Sequence, residues 1–158
     1  MRVFWFIVML TLSNLGQLTL AGTRTESADP VAIFKASGSF EEVVDNVKMA
    51  IEARGMLVSG VLHVSDMLNR TGPDLGYPQV FEQAESVEFC SASISHQMTQ
   101  VAPENMAICP FTISVFIKVS EPEQVYVAYR RQLLAGNAEE ITAKVYELLN
   151  GIVEESVE

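Results

Sequence analysis

Apolar residues recur at helical spacing in three stretches of this chain and at strand-like spacing in five, and the order of these stretches predicts the fold. Residues 30–34, Pro-Val-Ala-Ile-Phe, read as a first strand ending at Ser37 and Gly38. A helix follows over 39–54. Ser39 and Glu42 form a capping box, and Phe40, Val43, Val44, Val47, Ala50 and Ile51 share one helical face. Gly55 is placed to end it in the left-handed conformation. Residues 56–64 alternate as a second strand, with a bulge suggested by Gly60. Residues 66–78, rich in Gly, Pro, Asp and Asn, read as an irregular segment with at most one helical turn, of the kind that closes over a site. Residues 79–89 give a third strand, and 91–101 a short helix stopped by Pro103, with Ile94, Met98 and Val101 on its core face. Residues 111–119 and 125–129 form a hairpin about Glu121-Pro122-Glu123. The last helix, 137–153, takes Asn137 as N-cap and turns Ile141, Val145, Leu148, Leu149 and Ile152 inward before a solvated acidic tail. The order β-α-β-β-α-β-β-α predicts a two-layer α+β domain, helices packed on one face of a mainly antiparallel sheet.

The opening residues change the picture of compartment. Arg2, the apolar run from Val3, and Thr19-Leu20-Ala21 together read as a secretion signal over 1–21, cleaved before Gly22. The purely apolar run is too short to span a bilayer, which argues against an anchor and against stable membrane insertion after cleavage. Cleavage removes 21 of 158 residues and leaves a single domain over 22–158, secreted or periplasmic. Because Arg2 is the only charged residue removed, the net charge moves from −10 to −11. So acidic a chain repels nucleic acid. Asn69-Arg70-Thr71 matches a glycosylation acceptor, relevant only in a eukaryotic source.

Both cysteines, one of the two histidines and two methionines fall within 88–116. In an exported chain Cys90 and Cys109 are candidates for one disulfide, worth about 3 kcal/mol of chain entropy across their separation. Two buried thiols or a thiolate ligand are the alternatives. His96 lies about 200° round its helix from Ile94 and Met98, on the face turned from the core. It is either a surface histidine or an imidazole free to ligate haem iron or another metal at a subunit interface. Met98 and Met106 could supply thioether ligands to haem or cuprous copper, although Met98 belongs to the core stripe; because His96 and Met98 point apart, a second iron ligand would come from Met106, His63 or the other subunit. No Cys-x-x-Cys-His run exists for covalent haem. Phosphate loops, zinc-protease helices and serine elbows are also absent, so catalysis has no signature to stand on.

A helix ending in Ala53-Arg54-Gly55-Met56, a short helix ending at a proline, and Cys109-Pro110 ahead of a strong hairpin resemble the DUF302 family of small α+β domains, from Phe34 to the last helix. Family members commonly carry Leu-Pro-Cys before the hairpin, where this chain has Ile108-Cys109-Pro110. That departure, with Glu88-Phe89-Cys90 and the leader, suggests an exported branch. The resemblance implies a homodimer and, for exported members, noncovalent haem. The expectation is therefore a non-catalytic ligand-binding protein with haem on His96, walled by Met106, Phe111 or Tyr77, and with His63 or Met106 as second ligand. The competing expectations are a thiol-redox or soft-metal (copper) protein using Cys90, Cys109, Met106 and His96, or a purely structural homodimeric interaction module.

Overall fold

A computed structural model describes residues 29–158; the expected leader over 1–21 lies outside the described residues. The strands are β1 (Val31–Ala36), β2 (Val58–His63), β3 (Phe81–Phe89), β4 (Phe111–Lys118) and β5 (Glu121–Arg130). They form one sheet in the order β1-β5-β4-β3-β2, with every neighbouring pair antiparallel. Helices α1 (Phe40–Ala53), α2 (Val64–Leu75), α3 (Ala92–Val101) and α4 (Glu139–Ser156) flank it, with a short 3-10 helix at Pro103–Ile108. The two-layer α+β architecture expected from the sequence is the one observed.

The core lies between one sheet face and the layer of α1 and α4. Successive strand residues point to opposite faces, so Ala32, Val127, Tyr129, Ile113, Val115, Val87 and Phe89 meet Val43, Val47, Ile51, Val145, Leu149 and Ile152. Met98 brings α3 into the same layer. At the start of α1, Ser39 Oγ accepts from the Glu42 amide at 3.3 Å, while Glu42 Oε2 accepts from the Ser39 amide at 2.8 Å. Gly55, at φ 71°, ends it: its amide donates to the Glu52 carbonyl and that of Met56 to Ile51. The bulge at Gly60 is present as a register shift between Val58 and Gly60.

Five local expectations are corrected. The hairpin turns at Val119-Ser120, because Glu121-Pro122-Glu123, expected to form the turn, begins β5. Residues 64–75 form a helix of twelve residues where an irregular segment was expected. Pro73 sits in its last turn, and Gly76, at φ 75°, closes it with bonds from Gly76 N to Pro73 O and from Tyr77 N to Gly72 O, so the breakers terminate a helix instead of preventing one. Helix α4 starts from Ala138, not Asn137, because Ala138 is buried in the core and its carbonyl accepts from Thr142 N at 2.8 Å. The C-terminus is packed rather than a free acidic tail: Val153 and Ser156 are buried, and Val157 O accepts from Ser37 N. Val101 is exposed, since the chain turns away at Ala102 into the 3-10 helix.

Candidate functional site

The segment around the cysteines is a strapped corner. Cys90, at the end of β3, is bonded to Cys109, just before β4, with Cα atoms 6.0 Å apart, and neither cysteine is left free. Between them Ser91 caps α3 by accepting from Ile94 N. Asn105 of the 3-10 helix is buried and fully bonded. Its Nδ2 donates to the carbonyls of Met98 and Ala135, and its Oδ1 accepts from Ala135 N at 2.7 Å. Nothing in the local sequence marks Asn105, because its partner lies thirty residues on.

The five candidate residues occupy five different settings. Phe111 is fully buried, its ring 5.8 Å from that of Phe89. Met106 is 73% exposed on the 3-10 helix. The His63 ring, through Nδ1, meets Glu85 Oε1 at 2.9 Å at the end of β2. Tyr77 lines an apolar groove beside α2. His96 is exposed, on a shallow cleft between α3 and α4. Val101 and Ile141 are apolar walls of that cleft, and along its rim Lys144 bridges Gln97 and Glu140 at 2.9 and 2.8 Å. Among the described residues no three His, Cys, Asp or Glu side chains are grouped as a metal site requires. None of the described helices is long and apolar enough to cross a membrane.

The sheet face turned away from α1 and α4 is organised in rows. Pairing across the strands aligns Ile33, Ala128, Ser114, Ser86 and Leu62 in one row. Small residues fill its middle, with Ser86 and Ser114 hydroxyls 2.8 Å apart, while Ile33 and Leu62 at its ends are 58% and 52% exposed. The next row holds Lys35, Tyr126, Phe116 and Ala84. Here Phe116 stacks on Tyr126 at 5.4 Å, Phe81 meets Phe116 edge-on, and Lys118 Nζ lies 4.1 Å above the Tyr126 ring. The Tyr126 hydroxyl donates to the Glu121 carboxylate. That bond lowers the Glu121 pKa and raises that of Tyr126. On the other side of the first row stand Arg130 on β5 and Glu88 on β3, and neither has an ion-pair partner within the described chain. A single strand shows two-phase alternation, but only the register reveals these rows.

Comparison with known proteins assigns the fold. The model of a domain of unknown function, DUF302, matches residues 33–156. The chain belongs to the DUF302 family. Among solved structures, the chain is similar in fold to an uncharacterized conserved protein DUF302 from Bacillus stearothermophilus, with a TM-score of 0.67 and 13% identity over 82% of this chain and 99% of that one. No curated protein matches the chain. At that identity the likeness concerns the fold, and the DUF302 description itself assigns no activity.

Proposed function

We propose that this DUF302 chain is a non-catalytic interaction module that works as a homodimer joined through the open sheet face. The observation that carries the reading is the self-complementarity of the rows about β4. A two-fold axis along β4 sets β5 of one subunit over β3 of the next. Ile33 then meets the partner's Leu62, and Ala128 meets the partner's Ser86. On the same operation, unpaired Arg130 faces the partner's Glu88. Small residues at the centre permit sheet-on-sheet packing at about 10 Å. Five strands about 4.8 Å apart and some 26 Å long give a footprint of roughly 600 Å², near the ~800 Å² per partner of a stable interface. Sedimentation equilibrium tests it: a dimer at micromolar concentration is expected, and a monomer throughout the range would end the reading.

Export belongs to the same proposal. The formed disulfide supports it, because such bonds persist in oxidising compartments, as does the apolar leader. The haem reading rests on the free, exposed imidazole of His96. His96 is on the helix side of the sheet, so the proposed dimer leaves it remote from the interface. Reconstitution with haem separates the readings. A Soret band that His96→Ala abolishes supports haem on this residue, and a spectrum indifferent to the change removes it.

A further inference from the structure

Helix α2 carries its apolar residues on the wrong side for a core. Its one buried residue is Ser65, whose hydroxyl donates to the Ala84 carbonyl of β3 at 3.4 Å, just beyond the last β2–β3 pair, His63 with Glu85. Met67, Leu68 and Leu75 instead face a groove whose other wall is the return segment with Tyr77, Pro78 and Val80. The groove encloses about 500 Å³, within the usual size of a small-molecule site. Its walls stay uncovered: Leu75 is 66% and Tyr77 69% exposed.

The groove is held at both ends. The Gly76 turn fixes the return segment to α2, with Tyr77 N donating to Gly72 O at 2.9 Å. At the far end Val80 O accepts from Val119 N at 3.0 Å. Gly72 has a packing role, since a Cβ there would lie 3.1 Å from the Tyr77 carbonyl. Backbone bonds therefore tie the return segment both to α2 and to the sheet.

The charge pattern selects the occupant. In a chain of net charge −10, no charged side chain among the described residues lines this groove. An anion gains nothing there and is repelled by the whole, while a cation finds no carboxylate to meet it. Among the described residues, the Asn69 amide, the Tyr77 hydroxyl and the Gln79 side-chain carbonyl, all at the lining, have no hydrogen-bond partner. We propose that the groove between α2 and residues 77–80 is a binding site for an uncharged, largely apolar small molecule bearing a hydroxyl or carbonyl group. The site lies within one subunit and does not depend on the dimer.

Titration of the full chain with Nile red, an uncharged solvatochromic dye, tests this, with laurate as an anionic competitor. One dye per chain with a blue-shifted emission is expected, and laurate should compete poorly. Leu68→Glu and Leu75→Glu should each weaken the dye at least tenfold without moving the melting midpoint, both side chains being exposed. Tyr77→Ala, outside the helix, should also weaken it. Binding should survive in Ile33→Glu, which separates this site from the sheet interface. Unchanged affinity in the three groove variants would overturn the proposal. So would dye binding that follows protein self-association, pointing to a second copy as the occupant, or binding of the groove only to neutral lipid vesicles, pointing to a membrane.

Discussion

Asn105 holds Ala135 by both edges of its amide, accepting from Ala135 N at 2.7 Å and donating to Ala135 O at 3.2 Å. The same Nδ2 also reaches Met98 O, so one buried side chain joins the end of α3, the 3-10 helix and the approach to α4. Asn105→Ala leaves the Ala135 amide and two carbonyls without this partner, and should cost about 2–3 kcal/mol. Asn105→Asp should cost at least as much, because a carboxylate cannot donate to those carbonyls. Urea midpoints check both, and a variant within experimental error of wild type would show that water replaces the amide.

The Cys90–Cys109 bond closes this same corner. Reduction, or replacement of both cysteines by serine, should lower stability by about 3 kcal/mol through the freed chain entropy of the unfolded state. Asn105 lies within the loop the disulfide closes, so its loss and that of the disulfide are expected to couple rather than add. A double-mutant cycle with no coupling energy would show that the two hold the corner independently.

Four exposed carboxylates, Glu42, Glu121, Glu140 and Glu155, are held below their ordinary range and give the acid limb of stability its direction; Glu42 and Glu155 show the cause. Glu42 is held below the ordinary 4.5 by hydrogen bonds from the Ser39 amide and then its hydroxyl. Glu155 is held below 4.5 by hydrogen bonds from Arg54, at 2.7 and 2.6 Å, and by the guanidinium charge. With folded values lower than unfolded ones, their contribution is complete above 4.5 and is lost as pH falls through the folded values. Glu155→Gln and Glu42→Gln should therefore flatten the fall in melting midpoint below pH 4.5 and narrow their difference from wild type there. Parallel acid limbs in all three proteins would remove these pairs from the account.

Val47 has no exposed surface in the layer between α1 and the sheet. Val47→Asp should destabilise the domain by about 4 kcal/mol or more, since no partner for a buried charge is nearby in the core set. A wild-type melting midpoint would mean that α1 can move off the sheet.

What was legible in the sequence was local or periodic. Ser39 with Glu42, Gly55 after α1, the stripe from Val43 to Ile51 and the strand at 111–118 each carry their signal within one turn or one pleat. Helix α2 was hidden because Gly72, Pro73 and Gly76 are breakers by composition, whereas their positions make them terminators. Tyr77 was expected to wall a haem on His96, but it lines a groove beside α2, while His96 and Met106 are carried by separate elements that no sequence spacing relates. The bonds of Asn105 and the row that places Arg130 and Glu88 on either side of β4 need tertiary register, which alternation in individual strands does not contain.

The open face is tested most directly by sedimentation of wild type beside Ile33→Glu, Leu62→Glu and the control Leu133→Glu. Leu133 is 91% exposed and stands outside the sheet, so its variant should remain dimeric like wild type. Ile33→Glu and Leu62→Glu place carboxylates at the two ends of one row, and each should shift the protein to monomer with its far-ultraviolet circular dichroism unchanged. A wild type that sediments as a monomer, or a dimer that both row variants leave intact, would contradict the proposed interface.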